Sequence, residues 1–284
     1  MISFYALYVT KSKLIFAIIQ KNLIDIRDME KITYEEQTKI TRVIIKAAVL
    51  MMEYGAESIL IEQTAQRLGR ALGVSSVEIS LIPSAIVLTT LVNNQSVTTT
   101  RRSHHKPINM SIVYDVQKMV IDSENKKYDS NLVLQTLKEI KPNYYNRWLV
   151  VFMVGLACAS FAYLQKADWA AFGITFLAAS IAMFVRQELA KKKFVLIITF
   201  GITAFVATMI ASISQIEGVS STPNIALASS VLLLVPGFPF VNSFLDALKG
   251  YLSMGWGRWL HAMLLTFATS IGIILAVTLI KYQG

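Results

Sequence analysis

The 284 residues contain one cysteine, Cys158, and six prolines. A lone thiol excludes a disulfide framework and a thiolate metal site. No phosphate-binding loop, dinucleotide fingerprint or Gly-x-Ser-x-Gly elbow occurs, so no cofactor is expected, and an ATP-driven pump would need its nucleotide machinery on another chain. Acid is scarce towards the end: residues 148–284 hold four Asp+Glu and eight Lys+Arg, against 14 and 19 before them. The first half, in turn, lacks any apolar run long enough to cross a bilayer. The formal charge of +9 invites a nucleic-acid partner. No basic stripe interleaved with aromatics is present, however, and the later basic residues cluster at the ends of apolar runs, where membrane proteins place them. The partner surface indicated is lipid, not nucleic acid.

The second half consists largely of five apolar stretches, about 148–164, 169–185, 194–213, 225–241 and 259–280. Crossing roughly 30 Å of hydrocarbon takes ~20 residues. Each stretch reads as a transmembrane helix, with the first, second and fourth near the short limit. Nine basic residues fall on one side of these runs (Lys138, Lys141 and Arg147; Arg186, Lys191, Lys192 and Lys193; Lys249 and Arg258) and two on the other (Lys166 and Lys281). The positive-inside rule then sets the N-terminal domain in the cytoplasm and the C-terminus outside. The predicted fold class is an α+β cytoplasmic domain over 33–145, followed by an α-helical polytopic membrane domain over 146–284 with five transmembrane helices.

Residues 1–32 carry an apolar stretch, Leu14–Ile19, too short to span and followed by no cleavage site. An interfacial helix, a disordered tail and a non-native extension with the true start at Met29 are the readings. Regular patterning begins only after Met29, which favours a disordered or non-native extension.

Thr33-Tyr-Glu-Glu36 is a capping box. Ile40, Val43, Ile44, Ala47, Met51 and Tyr54 then recur at helical spacing, and Gly55 suits the end of that helix. A second amphipathic helix runs from about Ser58 to Leu72 and stops at Gly73. Val77, Ile79 and Leu81 alternate with polar residues as a strand, Ala85–Val92 is a fuller one, and Asn93-Asn94-Gln95 turns into Ser96–Arg102. Helices near 109–124 and 130–140 complete the unit. Few chemical groups converge in it. His104-His105 lack an acidic or thiol partner at ligand spacing and read as a solvated loop pair, so no metal is expected. Glu57 favours the dipole of the second helix, with catalysis as the outsider. Arg101 and Arg102 end a strand beside Asn109, where they bind an anion or are simply solvated.

In the membrane half, Pro236, Gly237 and Pro239 fall near the end of the fourth run, where an unbroken helix excludes them. Irregular backbone at membrane depth is tolerated only when buried in protein or lining a wet cavity, and in transporters such breaks form substrate sites. Asn242, Ser243, Asp246 and Lys249 follow at once. A substrate pathway and a plain turn at the cytoplasmic surface both fit. The many small and hydroxylated residues of the spans suit close helix packing. His261, near one end of the fifth run, is interfacial or a proton relay.

Several separated motifs, in order, resemble the threonine/serine exporter (ThrE) family: Tyr54-Gly-Ala-Glu-Ser58, Leu68-Gly-Arg-Ala-Leu-Gly73, Val87-Leu-Thr-Thr90, Thr100-Arg101 with Asn109-Met110, Arg147-Trp-Leu-Val150, and Thr222-Pro-Asn224 with Val235-Pro-Gly-Phe-Pro-Phe-Val-Asn242. The likeness runs from about residue 38 to the end. Full-length members fuse two membrane halves, and this chain is similar to the split form, in which a larger subunit works with a smaller integral-membrane partner and is associated with export of succinate. The resemblance implies an exporter coupled to the proton-motive force in the bacterial inner membrane. The role of the N-terminal motif residues Gly55, Glu57, Ser58, Arg101 and Asn109 stays open.

The expected function is one subunit of a secondary exporter of small carboxylates, succinate before threonine or serine. Pro236, Gly237, Phe238, Pro239 and Asn242 would line the path, with Ser229, Ser230, Thr222 and Asn224 supplying polar groups. Arg186 or Lys249 would draw the anion in. A membrane-anchored enzyme or sensor, and a scaffold that stabilises a transporting partner, are the rivals.

Overall fold

A computed structural model describes residues 32–125 and 128–283; the expectation for residues 1–31 lies outside them. The chain divides into two compact units, Met1–Asn143 with Asp246–Met254, and Tyr144–Leu245 with Gly255–Gly284.

The N-terminal unit starts with α1, Tyr34–Glu53, whose first turn is capped by Thr33 Oγ1 accepting from the Glu36 amide at 3.3 Å. Its expected face, Ile40, Val43, Ile44, Ala47 and Met51, is buried. Gly55, at φ 96°, reverses the chain while its own N–H and that of Ala56 take up Met52 and Met51 carbonyls. Next come α2 (Ser58–Ala71) and the strands β1 (Ser76–Ile82), β2 (Ala85–Val92) and β3 (Gln95–Arg102). The strands form an antiparallel meander. Asn93 and Asn94, both at positive φ, make the two-residue turn that pairs Val92 with Gln95, as side chains able to adopt that conformation should. Helices α3 (Met110–Glu124) and α4 (Ser130–Glu139) are capped by Asn109 and Asp129. Large aliphatics from the helices and strands fill one core, among them Ile44, Ile61, Leu68, Ile86, Leu88, Val116 and Leu137. Gln37 Nε2 donates to the carbonyls of Thr90 and Gln95, each at 3.1 Å, stitching α1 to the hairpin. Ile32 packs against this core.

Residues far along the chain complete the unit. Met254 is 2% exposed within the same core, and Asp246 is fully buried.

The C-terminal unit is built from α5 (Arg147–Leu164), α6 (Trp169–Lys191), α7 (Leu196–Ala211), α8 (Pro223–Ser230), α9 (Gly237–Leu248) and α10 (Leu252–Gln283), with 3₁₀ turns at Ser212–Gln215 and Leu232–Leu234. The last residues of α9 and the first of α10 belong to the N-terminal unit. Among the described residues, four helices are long and apolar enough to cross a membrane, and a fifth span exists if the bent pair Pro223–Leu234 and Gly237–Leu248 counts as one.

Three expected boundaries shift. The second span runs on through Arg186 to Lys191, because cations are favourable in a last helical turn. The basic stretch expected as a loop is thus mostly helix. The third helix starts at Leu196. The last one starts at Leu252, just after Gly250 at φ 89°, and no proline interrupts it up to Gln283. Arg258, expected in the preceding loop, therefore lies within this helix, and His261 is ten residues into its length of about 48 Å.

Small residues set the contacts among these helices. A Cβ on Gly155 would lie 2.0 Å from Ser180 Oγ, and one on Gly272 would lie 2.2 Å from the Gly201 carbonyl oxygen. Trp148 stacks on Phe184 at 5.7 Å near one end of α5, and Tyr163 meets Trp169 at 5.3 Å near the other. The two aromatic groups are 15 residues apart along α5, about 22 Å, a spacing suited to two membrane interfaces.

Candidate functional site

The fourth apolar run breaks in its middle. Helix α8, with Pro223 in its first turn, tightens into the 3₁₀ turn Leu232–Leu234, and α9 departs at 61°. The stretch expected to run to residue 241 therefore stops earlier, and Gly237, Phe238 and Pro239 open the next helix. The cause is local. Pro236 has no N–H, and Pro239 sits in a first turn, where a donor is not needed. The Gly237 N–H, which a continuous α-helix would give to Leu233, goes to the Val235 carbonyl at 2.8 Å. The Leu233 carbonyl is released.

Arg186 takes it. From α6 its Nη1 donates to the Leu233 oxygen at 3.3 Å, while the Phe200 ring of α7 lies 4.7 Å from the guanidinium carbon. The Cys158 thiol of α5 also meets the Leu233 backbone. Around the break the polar side chains are mostly internal. Asn242 and Ser243 are buried on α9, and Ser243 Oγ donates to the Phe240 carbonyl at 2.7 Å. Among the described residues, the buried Ser229 has no partner for its hydroxyl, whereas Ser230 donates to Leu227 at 2.8 Å. Phe238 is 41% exposed.

Thr222 and Asn224 stand at the other end of α8, and Asn224 is exposed. Thr222 belongs to a second arrangement, centred on Asp168. That carboxylate caps α6 through the Ala171 amide (3.0 Å) and accepts from Ser220 Oγ (2.8 Å), the Ser221 amide (3.0 Å) and Thr222 Oγ1 (2.9 Å). The Ser221 amide first, and then the Ser220 hydroxyl, hold its carboxyl far below the usual carboxylate range. In the sequence Asp168 marks the edge of an apolar run; its tie to a segment some fifty residues on has no local signal.

Of the N-terminal motif residues, Gly55, Glu57, Ser58 and Asn109 are held by structural bonds. Glu57 occupies the N-cap position of α2 without capping it; its carboxylate pairs with Lys249 at 2.6 Å. The α2 end is capped instead by Asp246, whose Oδ1 accepts from the Ser58 amide at 3.0 Å. Tyr251 donates to Glu62, and burial together with that carboxylate raises the phenol well above its usual range. Asn109 caps α3 and donates to the Asn143 carbonyl at 2.9 Å. Arg101 is exposed at the end of β3, opposite Ile86. Glu53 accepts from the His104 amide and pairs with Lys106 at 2.5 Å, so the loop carrying the two histidines is tied to α1 by its backbone.

The family model described as "Putative threonine/serine exporter" matches residues 42–280. The chain belongs to the ThrE family. It is 45% identical over 250 residues to the "Probable succinate transporter subunit YjjP" of Klebsiella aerogenes, covering 88% of this chain and 97% of that one. With the protein of the same description from Escherichia coli K12 the identity is 44% over 251 residues, covering 88% and 98%. An uncharacterized protein of Haemophilus influenzae is 50% identical over 142 residues, half of this chain and 48% of its own. No solved structure matches. Membership of ThrE, together with the membrane-capable helices, makes the chain an integral transport protein of the inner membrane.

Proposed function

We propose that the chain is the larger subunit of a secondary exporter of small carboxylates, succinate foremost, acting with a smaller integral-membrane second subunit and drawing on the proton-motive force. The observation that carries the transport path is the broken run between α8 and α9, with its bend of 61°. Freed backbone groups at membrane depth need protein or water around them, and such breaks are where transporters hold substrate. Pro236, Gly237, Phe238 and Pro239 shape the break, Asn242, Ser229 and Ser230 flank it, and Arg186 faces it from α6. Thr222 and Asn224 stand at the outer mouth. Lys249, expected to draw the anion in, is instead paired with Glu57 in the N-terminal unit. Succinate and the partner subunit are supported by the names of the two YjjP relatives. The family's own description favours a second reading, a threonine/serine exporter subunit.

In this proposal the N-terminal unit and the basic helix ends face the cytoplasm and the C-terminus faces the periplasm. A reporter fused after Gly284 then shows periplasmic activity; cytoplasmic activity would overturn this orientation. Efflux of labelled succinate and threonine from vesicles carrying both subunits tests the substrate. Alanine at Pro236, Gly237 or Asn242 should cut flux severalfold, and undiminished flux in all three variants removes the path assignment.

A further inference from the structure

Arg186, in the C-terminal unit, has surroundings that explain its position but not its charge. It is half-buried inside a membrane-capable helix, bonded to one carbonyl and stacked on one ring. Among the described residues no carboxylate pairs with it. Arg147, in the same unit, meets Glu188 at 2.5 Å. A guanidinium taken from water is costly to leave without an anion, and one carbonyl occupies one of its five N–H donors.

The two groups that hold it identify the direction it faces. Phe200 belongs to the buried cluster of Ala204, Leu234, Leu265 and Ala268, against which Leu233 also packs. Arg186 is thus fastened to the inner contacts of α7, α10 and the break, not to an outward face. The Leu233 carbonyl that it holds is the one that Gly237 leaves by turning its N–H to Val235. The break and the cation are parts of one arrangement.

We infer that Arg186 is the carboxylate-binding residue of the pathway. One edge of the guanidinium holds the released Leu233 carbonyl, and the remaining donors take a carboxylate of the transported anion side-on, a geometry suited to the planar fork and poorly served by lysine. This rests on the carboxylate-export reading above. A lipid phosphate offers similar oxyanion chemistry, so the test must separate the two.

Everted vesicles carrying the full chain and its second subunit are assayed with labelled succinate. Arg186→Gln should raise the KM roughly tenfold or more, the loss of a charge-assisted contact. Arg186→Lys should raise it less, with the maximal rate of the lysine variant kept within about twofold. An unchanged KM in both, at wild-type insertion, overturns the inference. Where the variants fail to insert, the wild type still decides: phenylglyoxal modification of Arg186, followed by mass spectrometry, should be slowed by succinate. Absence of that protection overturns the inference, as does protection that requires phosphatidylglycerol and is indifferent to succinate. Wild-type vesicles that move no dicarboxylate defeat the function proposed above; succinate flux indifferent to Arg186 defeats only this assignment.

Discussion

The two units bury opposite kinds of residue. The N-terminal unit hides Ile44, Ile61, Leu68, Ile86 and Leu88, while the buried apolar positions of the C-terminal unit are largely alanines, including Ala159, Ala171, Ala178, Ala182, Ala204 and Ala207. Its large side chains point outward: Phe152, Leu177, Phe267 and Ile274 are all more than half exposed. Water drives large apolar groups inward, whereas lipid is as apolar as leucine and supplies no such drive, so helices meet through small residues that let backbones approach. The same rule of close packing therefore selects leucine and isoleucine in one unit and glycine and alanine in the other.

The contrast can be broken by exchanging sizes. Gly272→Val should have the largest effect, because its first side-chain atom would already lie 2.2 Å from the Gly201 oxygen. A loss of roughly 3 kcal/mol or more is expected from such overpacking, read as a lower thermal midpoint of the purified chain. Ile44→Ala removes a fully buried side chain and should cost about 2–4 kcal/mol, whereas Leu177→Ala, facing lipid, should stay within about 1 kcal/mol. Equal costs would abolish the distinction between the units.

Polar ties sharpen it. Asp168→Asn should lower the midpoint at neutral pH, because Asn cannot serve the same set of donors as an anion. Asp168 has a depressed carboxyl, so its contribution is complete above the unfolded value near pH ~4 and is lost as pH falls through the lower folded value. The difference between wild type and variant should accordingly hold constant from about pH 8 to about pH 5 and shrink below about pH 4. The smallest effect belongs to Lys249→Ala. Its pair with Glu57 is partly exposed, and a double-mutant cycle should give below about 1 kcal/mol.

Much of the helix and strand order could be read from the residues, since it rests on local rules. The Thr33 cap, the Gly55 and Gly73 stops and the Asn93-Asn94 turn all act within a few residues. The membrane helices were legible as apolar runs, but their ends were not. Charge marked Arg186 and Arg258 for loops, yet helix continues wherever nothing breaks it, and long cationic side chains tolerate the last turns. Of the candidate site, the interruption was legible from two prolines; its place in the run depended on where the Gly237 N–H turned. The partners of Arg186, Asp168 and Glu57 come from segments 47, 52 and 192 residues away, and no local pattern names them.

The segment Asp246–Met254 has a consequence for biogenesis. The amide of Ser58 and the core place of Met254 wait for residues that a ribosome makes nearly two hundred codons after α2. While the apolar helices in between are being handed to the bilayer, the leading unit is an unfinished fold that lacks its last cap and one of its core side chains. Its completion therefore reports that the hydrophobic helices up to α9 have been synthesised, and a chain stopped at residue 145 should be made without ever reaching the same stability.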